Sequence, residues 1–266
     1  MKLATSFLAI AASLLAFQSS ALAQTTRLYN GSFENEDPFF GGPEGWKNFT
    51  NPGELWRKVG DGDGPILVRT GEASIELRSG NNFAGWTSDT GVDCLGVNNN
   101  PLVSWDGGSD VTVTGWYAIP ADQPLTGAKS CIKLEFRRAN NSIFGAFENL
   151  SIEGHTNGEW VQFSYTVTAA QIADIAAEFP PAPVSVSVLP IRFGLPSSTG
   201  TIFWDDIVVR QGCPADVDHN GFVNGDDFDS FVAAFVDGDP YSDYDTNCFV
   251  NGDDFDAFVS DFVAGC

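Results

Sequence analysis

The sequence predicts a mainly β protein, a sandwich or barrel of antiparallel strands, followed by a small α-helical unit at its C-terminal end. Three observations carry this expectation. Short segments across residues 25–211 alternate apolar and polar side chains, Gly/Pro clusters separate them, and after Cys213 the pattern changes to helix-period apolar stripes. With 266 residues, 28 Gly, 14 Pro and 22 Phe, the chain has core formers and turn formers enough for one large and one small unit.

In chain order, Ser109–Trp116, Ile132–Phe136, Trp160–Val167 and Val184–Val188 read as strands of period two, each turning one row of side chains to a core. Clusters at 41–43, 60–65, 98–101 and 196–200 supply the turns. Ala169–Ala177 is the one helical stretch before Cys213, a short connection between strands.

Residues 1–23 have the form of a signal peptide. Lys2 is the basic start, Phe7–Phe17 an apolar run too short to span a bilayer, and Ala21-Leu22-Ala23 before Gln24 a small-x-small cleavage pattern. The mature chain is expected to be secreted, extracellular or attached to a cell surface, with no later membrane span. Export permits disulfides among Cys94, Cys131, Cys213, Cys248 and Cys266, with one left over. The favoured pairs are Cys94 with Cys131 and Cys213 with Cys266; Cys213 with Cys248 is the alternative. The formal charge of −22 would repel a phosphate backbone, so no nucleic-acid partner is expected.

The unit 213–266 holds 13 Asp and no Glu, Lys or Arg, yet it also holds eight Phe at regular positions, which a solvated acidic tail would not need. It is a repeat of period 27: residues 222–229 and 249–256 are identical. Each copy ends in an i, i+3, i+4, i+7 stripe, Phe228, Phe231, Val232, Phe235 and Phe255, Phe258, Val259, Phe262, so two amphipathic helices can face each other. Before each stripe, oxygen side chains recur at loop positions 1, 3, 5, 9 and 12. They are Asp216, Asp218, Asn220, Asn224 and Asp227, then Asp243, Asp245, Asn247, Asn251 and Asp254. This is EF-hand-like spacing, with the carbonyls of Phe222 and Phe249 at position 7, and it predicts two bound Ca2+ ions. Gly221 fits the sharp turn at position 6 of the first loop, where the second has Cys248, so the first loop is expected to bind more tightly.

These duplicated loops resemble type I dockerin modules. The resemblance covers Cys213 to Cys266 and implies calcium binding and docking onto a cohesin-like or other surface protein. Loop positions 10 and 11, where such modules often carry Ser-Thr, hold Gly225-Asp226 and Gly252-Asp253. Residues 24–211, through Tyr29–Glu34, Gly45-Trp46, Gly71–Leu77, Gly158–Trp160 and Ile202–Val209, resemble the galactose-binding-like jelly roll of carbohydrate-binding modules. That resemblance implies a polysaccharide or cell-surface glycan as ligand. It also implies one structural Ca2+ held by Glu34 and Asp205, with Asp206 as the alternate.

Ring faces suit the C–H side of a sugar and planar polar groups its hydroxyls. Trp56, Trp86 and Trp105, in or beside loops, are the candidate ligand contacts, with Arg57 as a hydroxyl-binding neighbour. Trp46, Trp116, Trp160 and Trp204 are expected in the core. Glu148 and Glu153, and Glu72 and Glu76, read as solvent-facing acids, while His155 and His219 sit in turns unsuited to a triad. A non-catalytic binding protein is therefore the leading expectation. A small secreted polysaccharide hydrolase or lyase, or a structural surface protein, are the rivals.

Overall fold

The computed structural model of the chain describes residues 28, 30–37, 41–49, 54–61, 66–78, 83–88, 103–105, 107–217, 222–239, 242–244 and 249–265. Among these the strands are β1 (Trp46–Asn48), β2 (Glu54–Lys58), β3 (Ala73–Leu77), β4 (Phe83–Ser88), β5 (Val103–Ser104), β6 (Val111–Ala118), β7 (Leu125–Arg137), β8 (Ile143–Gly154), β9 (Val161–Val167), β10 (Ser185–Thr199) and β11 (Ile202–Gln211). Helix α1 (Ala169–Glu178) joins β9 to β10, and α2 (Gly225–Asp237) and α3 (Gly252–Ala264) follow β11. The signal segment 1–23 lies outside the described residues. Among those described, no helix is long and apolar enough to cross a membrane.

All strand pairs are antiparallel. One sheet runs β1-β4-β10-β7-β8 with β5 also on β10, and the other runs β2-β3-β11-β6-β9. Period-two alternation sends Ile132, Leu134 and Phe136 of the first sheet and Ile75, Val111 and Val113 of the second into one shared core, so the two sheets form a sandwich. Glu54 ties the layers together: from β2 its Oε1 accepts the backbone N–H of Gly85 on β4 at 2.7 Å. Helix α1 starts with a capping box, Thr168 Oγ1 accepting from Gln171 N and Gln171 Oε1 accepting from Thr168 N, and buries Ile172 in the same core.

Three strands exceed what alternation predicts. β8 has register shifts against β7 that interrupt its period. β10 carries Pro190, a residue that argues against an inner strand. It is tolerated because Pro190 falls between the stretch paired with β5, 185–186, and the stretch paired with β4, 191–193. β7 begins at Leu125 rather than Ile132, and its early residues pair with β10.

The C-terminal helices begin and end alike, as the repeat requires. Asn224 and Asn251 are N-caps whose side-chain oxygens accept from Asp226 N and Asp253 N, and Gly238 and Gly265 end the helices at φ +67° and +68°. Ala215, Phe231, Tyr244 and Phe258 form a second, separate core. One contact with the sandwich is made by Arg210 at the end of β11, which pairs with Asp261 of α3, while Tyr244 OH donates to the same carboxylate at 2.8 Å.

Cys131 is a free, buried thiol, which corrects the expected Cys94–Cys131 bond. Its side chain packs with Leu189 and Ile191 on the outward face of the first sheet, and Cys94 lies outside the described residues. Cys213 is disulfide-bonded, and Cys248 and Cys266 both lie outside the described residues.

Candidate functional site

The outward face of the first sheet is divided in character, and its middle, Cys131, Leu189, Ile191 and Ser187, is buried. Strand register sets its rows. Phe83 of β4, Phe193 of β10 and Lys129 of β7 stand side by side, then Gly85, Ile191 and Cys131. Leu189 stands beside Lys133, and Ser187 beside Glu135. Phe49 lies over Gly85, where even a Cβ would meet its ring at 2.4 Å, and it packs on Phe83 with centroids 5.3 Å apart. One end of the face is therefore aromatic and aliphatic.

The other end is a row of planar and charged groups. Arg137 Nη2 donates to Glu135 Oε2 at 2.8 Å and Arg137 Nε to Ser187 Oγ at 3.0 Å. Lys133 Nζ is 2.9 Å from Glu135 Oε1 and 4.0 Å from Glu148. The Glu135 side chain is held nearly buried between two cations that remain partly open to solvent. From the Phe193 row to the Ser187 row is about 20 Å along the strands at ~3.3–3.4 Å per residue.

A second constellation gathers acids around the segment Arg69–Ala73. Glu34 accepts from the N–H groups of Glu72 and Ala73 at 2.9 and 3.0 Å. Gly71, at φ +64°, makes room for it, because a Cβ there would fall 2.3 Å from the Glu34 carboxyl carbon. Asp205 is fully buried and accepts from Arg69 N and Asp206 N at 2.9 and 2.8 Å. Burial, with the neighbouring Asp206 carboxylate, pushes Asp205 up to about 8 despite those hydrogen bonds. Asp206 instead pairs with Arg69 and accepts from Thr70 Oγ1, and the Arg69 guanidinium lies 3.9 Å over the Trp116 ring. The two carboxylates predicted to share a cation thus hold opposite ends of one five-residue segment.

In the helical unit the first and last positions of both loops are buried: Asp216 at 8%, Asp227 at 0%, Asp243 at 6% and Asp254 at 0% exposure. Asp227 and Asp254 accept from Asn224 N and Asn251 N at 2.9 and 2.8 Å. Asn224 and Asn251 have their side-chain oxygens on helix N–H groups and their amide nitrogens on the carbonyls of Phe222 and Phe249 at 3.3 Å. Capping was the role that loop spacing alone did not reveal. The Phe222 and Phe249 side chains are 74% and 71% exposed. Asp218, Asn220, Asp245 and Asn247 lie outside the described residues, and so do Gly221 and Cys248. Among the described residues no group of three or more His, Cys, Asp or Glu is arranged to hold a metal. Buried carboxylates in a unit whose sequence has no Lys or Arg nonetheless fit a divalent cation.

Two predicted ligand contacts are corrected. Trp86 and Trp105 are core residues at 4% and 7% exposure, and Trp105 meets Phe136 edge-on. Neither ring face is open to a ligand. Trp56 is half-buried, its indole N–H donates to Phe33 O at 2.9 Å, and Lys58 Nζ sits 4.2 Å over its ring. Arg57 is buried against Glu76 at 3.2 Å, so it is not a hydroxyl-binding neighbour and Glu76 is not solvent-facing. Desolvation raises the Glu76 pKa, partly countered by Arg78 and Arg57. Of the Trp residues expected inside, Trp46 and Trp204 are buried, while Trp116 and Trp160 are only partly so. The residues missed, Glu135, Arg137, Phe83 and Phe193, carry only the signal that they alternate with core residues on their strands.

No protein-family model matches the chain, and no curated protein matches it. Among solved structures, the xylan-binding CBM22-1 domain of Paenibacillus barcinonensis Xyn10C is similar at 15% identity and TM-score 0.39, over 68% of this chain and 91% of that one. TmCBM61, solved with beta-1,4-galactotriose, is similar at 12% identity and TM-score 0.36, over 69% and 97%. The enzymatically active domain of tailspike protein 4 from bacteriophage CBA120 is similar at 11% identity and TM-score 0.40, over 69% of this chain and 21% of that one. The chain therefore spans about a fifth of that tailspike domain's length. These superpositions are partial, and the sandwich architecture rests on the strand register itself.

Proposed function

We propose that the protein is a secreted, non-catalytic glycan-binding protein whose C-terminal dockerin-like unit binds two Ca2+ ions and attaches it to a cohesin-like or other surface protein. The observation that carries the glycan reading is the division of one sheet face into an aromatic end, Phe49, Phe83 and Phe193, and a pair of partly open cations, Lys133 and Arg137, held by the buried Glu135 and Ser187. A polysaccharide reaching both ends of this face would meet apolar rings at one and the hydroxyl-binding donors of Lys133 and Arg137 at the other. Because Glu135 is held between Lys133 and Arg137, the polar row is set before ligand arrives, which limits the ordering cost of binding.

In the helical unit Asp216, Asp227, Asp243 and Asp254 would hold the cations together with the loop oxygens between them, and Glu34 with Asp205 would hold a third in the sandwich. Bound calcium supplies the positive charge that the unit's own sequence lacks. Exposed Phe222 and Phe249 beside many carboxylates favour a partner surface that is apolar at its centre and basic at its rim.

The test is a panel of soluble polysaccharides in affinity electrophoresis and calorimetry, with reducing-sugar release followed in parallel. Binding without release is expected, with at least about a tenfold loss, roughly 1.4 kcal/mol, for Phe193→Ala and for Arg137→Ala. Undiminished binding by both variants would remove this face as the site, and sustained release would overturn the non-catalytic reading.

A further inference from the structure

Among the described residues Arg192 has no counter-charge. It is fully buried on β10, and alternation puts it on the same inward face as Val186 and Val188. Its cross-strand neighbours on that face are small, Ala84 on β4 and Ser130 on β7, and along β10 it stands between Pro190 and Gly194. Only Nη2 is engaged, donating to Ser198 Oγ at 3.3 Å and Thr199 O at 3.1 Å. Nε and Nη1 reach no acceptor. Burial lowers its pKa, and no carboxylate acts to restore it. A guanidinium nevertheless stays charged inside proteins, and a buried charge without a partner is strongly unfavourable.

A second orphan donor lies on the same face. Trp86, two residues after Ala84 on β4, is 4% exposed and its indole N–H has no acceptor. Arg192 Nε, Arg192 Nη1 and Trp86 Nε1 are thus buried inward-facing donors with no acceptor among the described residues. A water molecule would accept from these donors but would also need acceptors for its own two hydrogens. An anion accepts only.

We propose that this donor-lined interior binds a monovalent, single-atom anion, chloride being the commonest, as the counter-charge of Arg192. Enclosure sets the size, because carboxylate or sulfate groups would need an opening that a fully buried guanidinium does not have. This inference is independent of the glycan and calcium readings.

Crystals of the full chain grown in bromide should show an anomalous peak in hydrogen-bonding contact with Arg192 Nε or Nη1. Urea unfolding at fixed calcium and ionic strength, in chloride against gluconate, should show a chloride-specific gain. Above the dissociation constant, each tenfold rise in chloride raises the folding constant about tenfold. Arg192→Met should abolish that dependence. Should Arg192→Met not fold, the two wild-type measurements decide alone. Water-only density, or superimposable unfolding in the two salts, overturns the proposal. A bromide peak without chloride-linked stability marks an adventitious ion only and overturns it equally.

Discussion

Phe231 and Phe258 stack with ring centroids 3.9 Å apart and planes 12° from parallel. They occupy the same position in the two copies of the 27-residue repeat, so the centre of the helix–helix contact is one residue meeting its own duplicate, with Phe228 against Phe255 and Phe262 and Phe235 against Phe255 beside it. Tyr244 meets both rings edge-on, at 5.8 and 5.6 Å. Phe258→Ala would open a cavity at the centre of a small core, at a cost of about 3–5 kcal/mol, a large share of what so small a unit can hold. Expected is loss of α2 and α3 amide protection in hydrogen exchange, with the sandwich strands still protected. Unchanged protection of both helices would show that the stack does not hold the unit together.

Calcium removal should melt the same unit first. Thirteen Asp without a single Lys or Arg repel one another, and salt screens only part of that repulsion where the carboxylates are buried, as Asp227 and Asp254 are. Circular dichroism with and without chelator checks this, and a helix signal that survives thorough demetallation contradicts it. Asp216→Ala should weaken metal binding more than Asp243→Ala, because Gly221 suits the first loop's turn and Cys248 replaces it in the second. Equal losses in calorimetry would remove that ranking.

Asp205 gives the metal-free sandwich a pH dependence of definite sign. Its ordinary value is 3.8 and burial raises it to about 8, so between those values the folded chain keeps a proton that the unfolded chain releases. Stability in chelator should therefore fall as pH rises from about 4 to 8. Asp205→Asn should flatten the slope in chelator and, if Glu34 and Asp205 share a cation, should lower stability in saturating calcium. Urea midpoints across pH test both arms, and identical slopes for the two proteins would show that Asp205 carries no such penalty.

The repeat was legible because both of its periods are written in the residues themselves: 27 for the unit and i, i+3, i+4, i+7 for the helix stripe. The sandwich was legible where alternation is clean, as in β6 and β9. It was not where a bulge shifts phase, as in β8, or where Pro190 interrupts β10. Loop-adjacent Trp86 and Trp105 were misplaced because sequence does not tell a strand's inward face from its outward one at a short element. The Glu135 row was hidden for a related reason: Lys133, Glu135 and Arg137 look like ordinary solvent-facing residues until β10 brings Ser187 alongside. The roles of Asn224 and Asn251 as caps are set by local geometry that ligand spacing mimics.

Cys131 should be inert in the folded chain. Its thiol packs against Leu189 and Ile191 at 2% exposure, and burial, reinforced by Glu148 and only partly offset by Lys133, pushes it up to about 12. The thiolate is the reactive form, so an alkylating reagent at pH 8 should label Cys131 only after unfolding. The same shift predicts a stability loss at high pH. Between about 9 and 12 the unfolded thiol gives up a proton that the folded one keeps, so wild-type stability should decline there more steeply than that of Cys131→Ala. Below about pH 8 the two curves should run nearly parallel, since the thiol is then mostly protonated in both states. Mass spectrometry of tryptic peptides after timed labelling reads the first expectation, and urea midpoints from pH 8 to 10.5 read the second. Rapid native labelling of Cys131 would show that the outward face of β7 opens locally, and that the apolar end of the proposed glycan surface is mobile rather than fixed.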